Sequence, residues 1–68
     1  MKTTIGHRLR EAREAAGLTQ DQLAVRVDIT QGYLSQVEAD KAVPTLGVMF
    51  SLAKALGVKM GAIFGEDQ

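Results

Sequence analysis

Apolar residues recur along this chain at helical spacing, and short polar interruptions divide the pattern into five segments. Ile5, Leu9 and Ala12 share one stripe, with Thr4 placed to cap the helix start and Gly17 placed to end it in a left-handed turn. Thr19 and Gln22 have the spacing of a capping box, in which hydroxyl and amide each satisfy a backbone N–H of the other residue. A second helix therefore begins after Thr19 and carries Leu23, Ala24 and Val27 on one face, until Asp28, whose short side chain tolerates a left-handed corner. Thr30 caps a third helix over Gln31 to Glu38, with Leu34 and Val37 one turn apart on its inner side. The residues from Ala39 to Val43 show no period and Pro44 disfavours helix at Val43, which predicts a loop before Thr45 caps a fourth helix. Leu46, Met49, Leu52, Ala53 and Leu56 form the inner stripe of that helix, and Gly57 ends it. Val58 to Phe64 reads as a brief fifth helix with Ile63 and Phe64 turned inward, followed by a polar end, 65–68, expected to fray.

With 68 residues there is room for a single core and a single domain, 1–68. A chain this small buries only about 60% of its unfolded surface, so self-association is a standing expectation. The absence of cysteine excludes a disulfide framework and a thiolate zinc site, and His7 alone cannot build a metal site. No apolar run approaches the roughly 20 residues that span a bilayer, and Met1 to Thr4 lack the apolar stretch of a signal peptide. The expected compartment is the cytoplasm, at the nucleoid if the partner is DNA. Eight basic and eight acidic residues cancel, so composition alone names no polyanionic partner. The charges are uneven: Lys2, Arg8, Arg10, Arg13 and Arg26 lie in the first 26 residues with Glu11, Glu14 and Asp21, whereas Glu66 and Asp67 sit at the tail.

The informative feature is the pair of helices spanning about 20–38, joined by a turn too small to let them lie antiparallel. Small Ala24 lets them approach, Ile29 plugs the corner, and Leu23, Val27, Leu34 and Val37 seat both on the remaining helices. A steep crossing of this kind leaves the N-terminal half of the second helix projecting, able to enter a DNA major groove while the first crosses the backbone.

From Ile5 to Phe64 the chain resembles the Cro/C1-type helix-turn-helix family, the xenobiotic-response-element-like (XRE) group of phage repressors and bacterial regulators. Leu18-Thr19-Gln20, Gln22-Leu23-Ala24, the run Tyr33 to Glu38, Pro44-Thr45-Leu46 and the run Ala53 to Val58 carry the likeness, and their order and separations are more specific than any one fragment. The resemblance implies an all-α, five-helix, lambda-repressor-like domain that binds double-stranded DNA as a transcriptional regulator, expected to be a repressor acting as a homodimer on a palindromic operator. It implies that Gln20 contacts a phosphate and braces Gln31. It also implies base contacts from Gln31, Gly32, Ser35 and Gln36, with Tyr33 as a further candidate. A glutamine amide can donate to and accept from an adenine edge at once, which discriminates bases by about 1–3 kcal/mol. Thr19, Gln20, Lys41 and Arg10 are the backbone-contact candidates, which position without specifying. Arg13 and Glu38 are expected to pair structurally, and Val58, Met60, Ile63 and Phe64 to meet a second copy. Asp28 and Asp40 stand where the family usually has glycine, Ala42 replaces a frequent basic residue, and Asp40 sets an anion beside the expected phosphate track.

Blander roles compete for several residues. Gln20 and Gln31 without their spacing would be surface residues near caps; Arg8 and Arg10 suit a solvated face offset by Glu11 and Glu14; Tyr33 can pack over the loop at Thr45; and Met49, Phe50, Met60 and Phe64 suit a core or a dimer surface. Two other functions remain open: a protein-interaction module that kept the fold and lost DNA, and the N-terminal DNA-binding piece of a longer ligand-sensing regulator. An enzyme is not expected, since no acid/base pair, nucleophile frame or phosphate loop is present, and no cofactor, metal, small-molecule ligand or membrane partner is implied.

Overall fold

The computed structural model describes residues 3–65 and consists of five helices in the order α1 (Ile5–Ala15), α2 (Gln20–Arg26), α3 (Gln31–Glu38), α4 (Leu46–Leu56) and α5 (Met60–Phe64). Four of the five starts are fixed by threonine. The hydroxyls of Thr4, Thr19, Thr30 and Thr45 accept from the backbone N–H of His7, Gln22, Tyr33 and Val48 at 3.1, 3.1, 3.0 and 3.2 Å. At Thr19 the box closes, because Gln22 Oε1 accepts from the Thr19 N–H at 2.9 Å.

Helix ends are just as uniform. α1, α2, α3 and α4 each run into a residue of positive φ: Gly17 at 73°, Asp28 at 58°, Asp40 at 61° and Gly57 at 69°. Behind each, the next N–H returns to a carbonyl five residues back, from Leu18 to Arg13, Ile29 to Ala24, Lys41 to Gln36 and Val58 to Ala53, at 2.8–3.1 Å. These are Schellman closures, two built on glycine and two on aspartate. They turn the chain sharply enough for short helices to cross rather than run on.

One cluster fills the interior, drawn from every helix: Leu9, Leu23, Ala24, Leu34, Val37, Leu52 and Ile63. α1 packs on α3 and α5, α2 on α3 and α4, and α4 on α5, so α3 is held from two sides while its remaining face is left outward.

Three expectations about burial and boundaries change. α5 starts at Met60 rather than Val58, because the Val58 N–H is committed to closing α4 and Lys59 offers no side-chain cap. Leu46 does not join the inner stripe of α4; as the first helical residue it lies beyond the core's edge and is 73% exposed. Phe50 points away from the core and is 60% exposed. The expectation of a frayed end over 66–68 lies outside the described residues. No helix is long and apolar enough to cross a membrane among the described residues.

Candidate nucleic-acid interface

The outward face of α3 follows from its inner one. Leu34 and Val37 are sealed in the core, and the helical period then places Gln31, Gly32, Ser35 and Gln36 in solvent. Gly32 has no atom within 4 Å of where a Cβ would stand, so the backbone of the first turn of α3 is itself accessible. Tyr33 departs from the outward set: its ring is partly buried against the core cluster.

The opposite end of α3 is tied down by one carboxylate. Arg13 donates from Nε to Glu38 Oε2 at 2.8 Å and from Nη2 to Oε1 at 3.1 Å, a two-pronged pair whose side chains are 10% and 4% exposed. The third prong, Nη1, donates to the Leu18 carbonyl at 2.8 Å, so no guanidinium edge is wasted. The hydrogen bond to Glu38 holds the Arg13 pKa above its ordinary value, against a smaller opposing effect of burial. Gln20 completes the cluster, its Nε2 donating to Glu38 Oε1 at 3.1 Å. The expected brace from Gln20 to Gln31 is not formed here: one N–H of the Gln20 amide goes to the last residue of α3 rather than the first, which leaves its second N–H uncommitted. Every buried side-chain N or O among the described residues has a partner.

Close approach does the rest. A Cβ on Gly6 would overlap the Glu38 carbonyl oxygen and lie 2.7 Å from that of Val37, so only glycine lets α1 cross the end of α3 here. Immediately beyond, Asp40 turns its carboxylate back to α1 and accepts the Gly6 N–H at 2.9 Å. Thr4 and then that amide hold the Asp40 carboxyl below its ordinary pKa. Thus the anion expected beside a phosphate track is occupied in capping a free amide in the first turn of α1. Sequence reasoning missed the Gly6 contact and this link, although a glycine two residues past the Thr4 cap is a visible signal for the first.

The remaining candidates are distributed around α3. Arg10, Gln20, Ser35, Glu38 and Ala39 line a shallow polar hollow beside it, which brings two backbone-contact candidates next to one base-contact candidate. Arg10 lies 3.6 Å from Glu14 and both are exposed, while Arg8 is drawn away to the Gly65 carbonyl, Nη1 donating at 3.0 Å. Thr19 and Lys41 are exposed at the start of α2 and just past α3. Of the residues expected to meet a second copy, Ile63 is excluded because it is 1% exposed inside the core; Val58 and Phe64 are partly buried against it, and Met60 is partly exposed.

A helix with amides on its exposed face, joined to the helix before it by a short left-handed turn at Asp28 and packed against it, defines a helix-turn-helix domain of the DNA-binding, transcription-regulating class. The helix-turn-helix family model matches residues 9–63, and the chain belongs to that family in its Cro/C1-type, XRE-like branch. The immunity repressor protein of Bacillus phage phi105 is 38% identical over 64 residues, which is 94% of this chain and 44% of the repressor. The regulator ImmR of Bacillus subtilis is 32% identical over 65 residues, 96% of this chain and 51% of its own. Among solved structures, the restriction-modification controller protein C.AhdI of Aeromonas hydrophila superimposes with a TM-score of 0.84 at 35% identity, covering 88% of this chain and 91% of the controller. The chain thus spans about half the length of those two curated regulators and nearly all of the controller protein.

Proposed function

We propose that this chain represses transcription by binding a palindromic operator as a homodimer, with α3 of each copy in successive major grooves about 34–36 Å apart. The observation that carries the reading is the asymmetry of α3, whose inner face and C-terminal end are locked while Gln31, Gly32, Ser35 and Gln36 are free. Gln31 takes the bidentate base contact and Gln36 a second one. Gly32 allows the helix backbone near the base edges, and Ser35 offers a short hydroxyl. Tyr33, being partly buried, has only its exposed edge to give. Thr19, Lys41, Arg10 and the second N–H of Gln20 meet phosphates. With only Arg10 and Lys41 as cationic contacts in each copy, log K should fall with log salt at a slope of about −3 to −4, shallow for a dimeric DNA binder. Work on genomic DNA puts the protein in the cytoplasm, at the nucleoid.

The relatives' lengths favour one further reading, in which the same domain serves as the DNA-binding part of a longer regulator; the groove contacts are unchanged by it. Fluorescence anisotropy with mixed-sequence duplex at low and raised salt tests the proposal. Salt-sensitive binding is expected, and its absence would replace DNA by a protein partner.

A further inference from the structure

We propose that Arg10, Gln20 and Ser35 form a seat for one phosphate group, and that Glu14 sets how strongly the seat binds by holding Arg10 back from it. This deepens the DNA reading above and rests on it for the source of the phosphate, while the seat itself follows from the geometry of α1, α2 and α3. The three helices meet around a hollow of about 180 Å³ lined by Arg10, Gln20, Ser35, Glu38 and Ala39. Its one carboxylate is already answered, since Glu38 accepts from Arg13 Nε and Nη2 and from Gln20 Nε2. The second N–H of Gln20, the exposed Ser35 hydroxyl and the Arg10 guanidinium are left, and all three can donate. A phosphate accepts several hydrogen bonds at once, which suits donors supplied by three different helices.

Helix α1 uses its arginines in opposite ways. Arg13 meets Glu38 at 2.8 Å with side chains 10% and 4% exposed, and is locked. Arg10 meets Glu14 at 3.6 Å with side chains 63% and 57% exposed, and a cation placed four residues before an anion is the weaker order for such a pair on a helix. The pair favours itself in water by only about twofold, so a phosphate can take the guanidinium over. That exchange has two costs, the release of Arg10 and the nearness of the Glu14 carboxylate to the incoming anion. Both fall on every sequence alike, because no base takes part. Arg8 offers no substitute, since its Nη1 donates to the Gly65 carbonyl at 3.0 Å. Ser35, lining the hollow with Arg10 and Gln20, stands with the residues that position DNA and leaves Gln31 and Gln36 to read bases.

Nuclear magnetic resonance of the Arg10 Nε–H and the Gln20 amide, during a titration with inorganic phosphate and no DNA, reads the seat by itself. Phosphate is expected to move both signals in the wild type and to bind about two- to fivefold more tightly to Glu14→Gln. Glu11→Gln removes the same charge from the same helix, where it faces His7, and should change phosphate binding by less than about twofold. Both glutamates are exposed, so equal melting temperatures are expected for the variants and the wild type. Mixed-sequence duplex followed by fluorescence anisotropy should give the same ranking. There the gain from Glu14→Gln should shrink to the Glu11→Gln level once Arg10→Gln is also present, which is the coupling a double-mutant cycle measures. Phosphate shifts that miss Arg10 and Gln20, a Glu14→Gln gain no larger than that of Glu11→Gln, or a gain that survives Arg10→Gln would each overturn the proposal. A wild type that took phosphate at this seat yet bound no duplex would keep the seat and remove the function proposed above.

Discussion

At its C-terminal end α3 meets α1 backbone to backbone at Gly6, gives Glu38 to donors from α1 and α2, and is followed by Asp40 reaching back to α1. At its N-terminal end Leu34 and part of Tyr33 pack inward and the Thr30 hydroxyl caps the first turn, while Gln31 and Gly32 stand in solvent. Polar side chains occur along the whole helix, yet Glu38 is consumed by the fold whereas Gln31, Ser35 and Gln36 are offered by it. The difference teaches how an eight-residue helix, too short to be stable alone, can be a rigid probe: it is gripped where it is not needed for contact.

Breaking the grip should cost most. Arg13→Ala leaves the nearly buried Glu38 carboxylate without its two-pronged donor, and stability should fall by about 3–5 kcal/mol. Urea unfolding of the variant checks this, and replacing Glu38 as well, in the Arg13→Met/Glu38→Leu double variant, should recover part of the loss. Gly6→Ala comes next, at about 2–3 kcal/mol, because backbone rather than a flexible side chain occupies the required space. Its melting temperature should drop while a control, Gly47→Ala, rises.

The two left-handed aspartates sharpen the comparison at smaller cost. Asp28→Gly relieves φ at 58° and should raise the urea midpoint. Asp40→Gly relieves a similar strain but removes the acceptor of the Gly6 N–H, so it should gain less than Asp28→Gly in the same urea series. Acid adds a sign to the test. Because its folded pKa is depressed, Asp40 contributes stability that is present above the ordinary carboxylate value and lost as the pH falls through the folded one. Asp40→Asn should therefore flatten the acid side of the pH–stability curve.

Much of this architecture is legible in the sequence because its boundaries are local. A threonine cap is decided within four residues, and the left-handed stops at Gly17, Asp28, Asp40 and Gly57 are decided by residue type and position. The core is readable wherever a stripe repeats, as for Leu9, Leu23, Leu34 and Val37. That reading fails at Leu46 and Phe50, since a period reports which residues share a face but not how far the neighbouring helices extend to cover it. The same limit applies to the polar ties. Arg13 with Glu38 follows from the family likeness, whereas Gln20 choosing Glu38 over Gln31, and Asp40 reaching Gly6, depend on how three helices approach in space. The outward residues of α3 are legible as the complement of Leu34 and Val37.

The central claim is that the free end of α3 reads bases while residues around it only hold the phosphates. Binding of the wild type, Gln31→Ala and Lys41→Ala to a selected operator and to its single-base-pair variants, at two salt concentrations, tests it most directly. Gln31→Ala should lose about 1–3 kcal/mol of discrimination at one base pair of each half-site and keep the salt slope, whereas Lys41→Ala should weaken every sequence alike and flatten the slope by about 1 for each phosphate left unneutralised. Equal losses on all sequences from both substitutions would contradict the account.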